Sequence, residues 1–458
     1  MATSVVLFTR VLRLHDHPAL ATAVRRSEHV VPLFVVDPAI VEGPFGSPNR
    51  IAFLRDCLEE LGTELRRLGG DLVVRRGDPV EQAVRLAVEI GADSIHYSAD
   101  VGRYAERRRQ RLHDEATAAG ITATGHPGIA VVEAGTLTPS GGGDHFKVFT
   151  PYFWVWSRAM RRPVAAAPRA ISLPEQLAVG PGLDHLLPAP ADTSPQRPLG
   201  GEQRGRRQLE RWADEQLARY EDIHDDLAGD QTSKLSPFLH FGYLSALDLC
   251  TRLTGRPGSE AFIRQLCWRD FHHQVTAAFP DIARHDYRSR NDVWDDDDEM
   301  IAAWKEGRTG YPIVDAGMRQ LRLEGWMHNR ARMITASFLV KDLGVDWRVG
   351  ADHFLAWLTD GDIAQNSANW QWTAGTGNDT RPNRVFNPLR QAERFDPRGD
   401  YVRRYLPELA SLSGAEVHQP WRVTGQRRPG TYPAPIVDHD RAAAAFLARR
   451  AGQQQLAL

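Results

Sequence analysis

Residues 360–372, DGDIAQNSANWQW, crowd two carboxylates, three carboxamides within five residues and two indoles into one short run. At about 100° per residue a helix sets Asp362, Asn366 and Trp370 on one stripe at i, i+4 and i+8, and turns Trp372 about 200° away from Trp370. One face then offers polar groups and an indole to a buried partner, and Trp372 serves a second. The same run also reads as a helix opened by Asp with tryptophans in the core. TSKLSP at 232–237 supplies Thr232, Ser233 and Ser236 ahead of Pro237, hydroxyls that can hold a phosphate beside free backbone N–H groups or simply cap a helix. WMHNRARM at 326–333 puts Asn329, Arg330 and Arg332 on a helix, where pairing of Arg332 with an acid such as Asp360 would be a purely structural use. Trp268, Trp294, Trp304 and Trp347 are core residues by default.

The elements that must position these groups fall into two kinds. In the first third, apolar runs at 4–9, 29–36, 71–76 and 94–98 alternate with amphipathic stretches at 50–68 and 78–90, which predicts a doubly wound parallel α/β sheet. No G-x-G-x-x-G follows the first run, so the usual dinucleotide fingerprint is missing. From about 160 to 205 Pro, Ala, Gly and Arg dominate, the signature of a connector. Helical windows follow at 205–227, 244–254, 259–279, 315–325, 328–343 and 347–358, and nine of the twelve tryptophans lie between 212 and 372. DDDDE at 295–299 reads as a solvated loop or helix start.

The 458 residues suggest two or three domains, and no internal repeat is evident. A net charge of −2 excludes a globally basic nucleic-acid binder, so such binding needs a local patch among the 56 Lys and Arg. Cys57, Cys250 and Cys267 form no C-x-x-C pair, which speaks against disulfides and thiolate zinc; no metal is expected. The opening MATSVVLFTR lacks a signal-peptide pattern and no apolar run approaches a membrane span, so a soluble cytoplasmic protein is expected.

Taken in order, TSKLSPFLHFG, LCWRDFHHQ, WKEGRTGYPIVDAGMRQL, GWMHNRARMITASFLVKDLGVDWR, DGDIAQNSANWQW and RVFNP resemble the photolyase/cryptochrome family, closest to its class I branch acting on cyclobutane pyrimidine dimers. FTRVLRLHDHPAL at 8–20 is similar to the family's opening, with Thr9 and Val11 where most members carry Arg and Asp. The resemblance implies an α/β antenna-chromophore domain at 1–133, a connector at 134–205, and an all-α domain at 206–458 that binds U-shaped FAD and the DNA lesion. It places Tyr220, Thr232, Ser233, Lys234, Leu235 and Ser236 on the adenosine and phosphate side. Asn329, Arg332, Asp360, Asp362 and Asn366 surround the isoalloxazine, with Asn366 nearest N5. Trp370, Trp347 and Trp294 match the family's electron-carrying triad, and Trp372 matches the indole lining the substrate cavity opposite Trp268.

The implied activity is light-driven repair of cyclobutane pyrimidine dimers by electron transfer from excited, reduced anionic FAD to a flipped-out dimer. Asn366 matches photolyases where plant and insect cryptochromes carry Asp or Cys, and an amide hydrogen-bonds neutral and reduced flavin alike. Met333 stands where (6-4) photolyases carry a histidine, so the acid/base partner of that chemistry is missing. Stacking on Trp268 and Trp372 at about 1–3 kcal/mol per base offsets a flip costing a few kcal/mol. Gln265 replaces the usual Glu three residues before Trp268, and its amide can still donate and accept at a base edge. Arg269 and Arg330 are the candidate phosphate contacts. The alternatives are a blue-light signalling cryptochrome, a (6-4) photolyase and a generic flavoprotein electron carrier. Signalling members often carry long C-terminal extensions, whereas about 19 residues follow YPAPIVDH here. Gly102-Arg103 stands where folate binders carry Asn-Glu, so the second chromophore is expected to be 8-hydroxy-5-deazaflavin, a folate being the alternative, near Arg50, Asp100 and His240. The expected partner is UV-damaged DNA, bound by a monomer without a membrane.

Overall fold

The computed structural model describes residues 2–178, 180, 182–424, 430 and 432–456. They gather into two compact units: one takes the chain through Thr193, Pro198–Ala218 and Ser233–Asp281, the other Ser194–Arg197, Arg219–Thr232 and the chain from Ile282 onward.

The first unit is built on five parallel strands, β1 (Thr3–Phe8), β2 (His29–Val36), β3 (Val73–Arg76), β4 (Ser94–Ser98) and β5 (Thr122–His126), in the order β3-β2-β1-β4-β5. The expected apolar runs are β1 to β4. Covered on both faces, β1 and β2 read as near-continuous apolar sequence, whereas the edge strand β3 ends on the half-buried Arg75 and Arg76. Pro32 sits inside β2, where β3 pairs only from Leu33 onward, so its missing N–H costs no bond to that neighbour. Val5, Leu7, Val31, Leu33, Val73, Ile95 and Tyr97 pack against Val80, Ala83 and Leu86 of the helix Pro79–Glu89. Helices Pro18–Arg26, Pro48–Arg67 and Pro79–Glu89 each open on a proline, whose fixed φ suits the first helical position. β5 was not expected: it is a half-exposed edge of Thr, Ala, Gly and His. The helix Phe149–Trp156 likewise stands inside the stretch expected to be connector, burying Phe149, Tyr152 and Trp156.

The second unit is helical, with Asp298–Glu306, Pro312–Glu324, Asn329–Ser337, Trp347–Trp357, Ile363–Ala374 and Pro388–Phe395 around one core. Asp297, at the centre of the acid run, caps the first by accepting from Glu299 N and Met300 N, both at 3.0 Å. The window expected at 328–343 is a helix to Ser337 that widens into a π-helical turn over Phe338–Asp342. Trp304, Trp347 and Trp370 are buried in this core beside Phe354 and Leu339. Among the described residues no helix is long and apolar enough to cross a membrane.

Candidate functional site

In the second unit the run at 360–372 folds as the stripe requires. Asp362 caps the helix Ile363–Ala374, its Oδ1 accepting from Gln365 N at 2.8 Å, and Asp362, Asn366 and Trp370 are all buried. The Asp is therefore a cap and Trp370 is core, as the second reading of the run expects. Asn366 Nδ2 donates to Ala351 O at 3.0 Å, which turns its Oδ1 the other way as an acceptor. Trp370 lies edge-on to Phe354 at 4.9 Å and to Trp304 at 6.1 Å. Its benzo edge also presses on Gly350, where a Cβ would come within 2.1 Å of Cη2, so only glycine lets the indole reach the helix Trp347–Trp357 one turn beyond Trp347. Trp347 has no exposure and donates Nε1 to Asp286 at 2.9 Å, while Trp294 packs half-buried against the same core.

Arg332 reaches Asp360 with two contacts of 3.1 and 2.8 Å and donates Nε to Met327 O, so the anticipated pair forms. The helix Asn329–Ser337 is capped by His328, whose Nδ1 accepts from Arg330 N at 3.1 Å. Burial pushes the His328 imidazole down to about 4, and its Nε2 is buried without a partner. Asn329 lies exposed at the helix start, with Met333 one turn on. Arg330 pairs with Asp225 at 2.6 Å and lies over Phe395. A cleft of about 460 Å³ is lined by Arg330, Met333, Phe386 and three arginines that sequence reasoning missed, Arg384, Arg390 and Arg394. Arg384 also stacks over Trp372, 5.0 Å from the ring centre. Its only signal was the RVFNP segment, noted for resemblance but not for charge. Thr232 Oγ1 is buried with no partner, and burial lifts the Tyr220 phenol to about 12.

In the first unit, Ser233, Lys234 and Leu235 lead into the helix opening at Ser236, with Lys234 at φ +50° and Gln208 Nε2 donating to Ser233 O at 2.7 Å. The helix that follows, Ser236–His240, takes no side-chain cap, so the capping use of these hydroxyls is not realised there. Gln265 is exposed on the helix Ser259–Ala278, and Trp268 follows one turn later, half-buried. Trp268 stacks flat on Phe149, 3.6 Å between centroids and 3° between planes, which covers one indole face. Phe149 was invisible in the sequence because its segment read as connector. Arg269 donates to Ile129 O and Leu239 O, so its guanidinium is engaged by the backbone. Asp100 accepts from Arg10 at 2.9 Å and from Val101 N, just beyond the carboxyl ends of β1 and β4. The strand order reverses there, the point where open α/β sheets bind ligands. Arg10 Nε also reaches His240 O, linking two expected antenna residues, whereas Arg50 donates to Phe45 O.

Residues 4–170 match the family model for DNA photolyase, and 262–451 the model for the FAD binding domain of DNA photolyase. A deoxyribodipyrimidine photo-lyase of Streptomyces griseus is 52% identical over 450 residues, 97% of this chain and 98% of its own. The chain belongs to the photolyase/cryptochrome family. Among photolyase structures, the bacterial class III photolyase of Agrobacterium tumefaciens superposes with TM-score 0.92 at 33% identity over 99% of this chain and 98% of its own. An archaeal photolyase of Sulfolobus tokodaii, with two FAD molecules, reaches 0.87 at 31% identity over 98% of this chain and 100% of its own. The α/β sheet and the helical FAD-binding domain expected from the sequence are both present. The photolyase residues also fit the cofactor: the unpartnered Thr232 hydroxyl suits a phosphate, and the outward Asn366 Oδ1 suits a ring N–H.

Proposed function

We propose that the chain is a deoxyribodipyrimidine photo-lyase, a carbon–carbon lyase that splits cyclobutane pyrimidine dimers in DNA with light. The observation that carries this reading is Asn366, buried, its N–H end fixed on Ala351 O and its carbonyl left to accept a hydrogen bond. When bound and reduced, FAD supplies on excitation the electron that opens the cyclobutane ring and takes it back afterwards.

The chain's own residues do the rest. Tyr220, Thr232, Ser233, Lys234, Leu235 and Ser236 hold the adenosine and phosphates. Asn329, Asn366, Asp362 and the Arg332–Asp360 pair surround the flavin ring. Trp370, Trp347 and Trp294 carry electrons inward, so the cofactor can be brought to its reduced form. Trp372, with Arg384 on its ring, and Trp268, with Phe149 behind it, each offer an indole face to a flipped base. Gln265 and Met333 meet the lesion edge, and Arg330, Arg384 and Arg390 meet phosphates. Arg269, held in place by its bonds to Ile129 O and Leu239 O, is a further phosphate contact. The Arg10–Asp100 pair supports a second chromophore near Asp100 and His240, an 8-hydroxy-5-deazaflavin with a folate as the alternative.

Illuminating the purified protein with an oligonucleotide that carries one cyclobutane dimer tests the assignment. Light-dependent restoration of the two pyrimidines supports it. Repair only of a (6-4) lesion, or flavin absorbance without repair of either lesion, assigns the chain to the other branches.

A further inference from the structure

The loop from Ile282 to Asn291 has no part in the site as described, yet it is strongly held. Gln371, fully buried between Trp370 and Trp372 on the helix Ile363–Ala374, donates Nε2 to Ile282 O at 2.7 Å and His285 O at 2.9 Å. Its Oε1 accepts from Tyr287 N at 2.8 Å. One amide thus spends three hydrogen bonds on this loop, and Arg288 N to Thr376 O at 2.7 Å adds a fourth tie. What the loop presents is Asp286, whose Oδ1 accepts from Trp347 Nε1 at 2.9 Å and from Arg348 NH2 at 2.8 Å.

A buried indole N–H needs an acceptor, but a backbone carbonyl suffices. Trp304, equally buried, uses Thr335 O at 3.0 Å. Trp347 has a carboxylate instead. The difference matters because Trp304 lies 6.1 Å from Trp370, so two buried indoles border the tryptophan that must be refilled after it gives up an electron: Trp304 by ring contact, and Trp347 one turn from the Gly350 backbone on which Trp370 rests. A negative charge at the N–H stabilises positive charge on that ring, and in a low-dielectric core the effect is strong. Arg348, 4.6 Å over the Trp347 ring, opposes it in part, but Arg348 is also paired with Asp346 at 3.0 Å, and it is the carboxylate that touches the indole N–H.

We propose that Asp286 is a positioning residue for electron transfer, acting through Trp347 to make that indole, and not Trp304, the donor to Trp370. The inference rests on the tryptophan route proposed above. One electron passes from Trp370 to the photo-excited oxidised flavin, one from Trp347 refills Trp370, and Trp347 is left as a radical cation until Trp294 supplies one in turn. No covalent bond forms or breaks, and the proton stays on Nε1.

Flash-induced absorption of the FAD-loaded, oxidised protein reads tryptophan-radical yield directly. Asp286→Asn keeps an acceptor oxygen but removes the charge, and it lowers the equilibrium constant for refilling Trp370 from Trp347 by about tenfold, read as a loss of long-lived radical. Asp286→Glu restores most of the yield. Trp304→Phe, at unchanged melting temperature, leaves the parent yield as it is. A parent-like yield in Asp286→Asn, with the signal abolished by Trp347→Phe, overturns the proposal and leaves the route standing. A full signal in Trp347→Phe overturns the route and this proposal together.

Discussion

Asn366 and Trp370 share a stripe but hold their places by different means, the first by a donated hydrogen bond to Ala351 O and the second by a glycine that leaves room for its ring. A route of discrete indoles has a simple consequence at its outer end. Trp294→Phe removes the half-buried member without touching the dimer-facing residues, so light-driven reduction of oxidised flavin is lost, while protein reduced chemically beforehand still repairs. Loss of repair by the pre-reduced variant sinks the route. Gln265 is a sharper case, being exposed one turn from Trp268 on the helix Ser259–Ala278. Gln265→Ala keeps flavin content but weakens lesion binding by about 1–3 kcal/mol, because a base edge loses its partner. Gln265→Glu is milder, and its deficit shrinks as pH is lowered, since only the protonated carboxyl can donate as the amide does. Lesion titrations of both variants across pH decide it, and parent-like binding by Gln265→Ala makes the side chain mere lining.

The helix Asn329–Ser337, which carries Arg330, Arg332 and Met333, opens on a histidine rather than a hydroxyl or carboxylate. Its Nδ1 can accept from Arg330 N only while unprotonated, and burial holds its folded value at about 4 against an ordinary 6.5. In that window the unfolded chain binds the proton and the folded one does not. Stability is therefore full above 6.5 and falls as pH drops towards 4, by up to about 3 kcal/mol from this group. His328→Asn, still a good cap, flattens the loss between those values in denaturant melts; an identical pH profile refutes the assignment. At this scale the sequence is readable where burial and period agree. β1 and β2 read as apolar runs because both faces are covered, and the indole-rich helices follow their 3.6-residue pattern. β5 and the helix Phe149–Trp156 escaped notice because one is a polar edge and the other is short and apolar all round. The site divides in the same way. Residues within one helix, such as Asp362, Asn366 and Trp370, are legible from spacing. Asp286 under Trp347 joins positions 61 apart, and Arg384 over Trp372 depends on how a loop returns, so neither has a local signal.

A molecule of net charge −2 must find DNA through part of its surface. The part proposed for this is the cleft with Arg384, Arg390 and Arg394, where Arg330 is already paired with Asp225, and with a Debye length of about 10 Å at 0.1 M salt, distant acids do not cancel its charge. The arginines differ in what they do. Arg390 is exposed, whereas Arg384 also covers the Trp372 ring. If Arg390 neutralises one phosphate, Arg390→Gln weakens damaged and undamaged DNA alike, and the slope of log K against log[salt] becomes shallower by about 0.9. Arg384→Gln makes the same change in slope and adds a loss seen only with the dimer, because the indole that stacks on the flipped base loses its backing. Binding titrations of both variants on both DNAs over a salt series separate the two terms. Equal losses on the two DNAs for Arg384→Gln remove Trp372 from lesion recognition, and unchanged slopes for both variants move the DNA path away from this cleft.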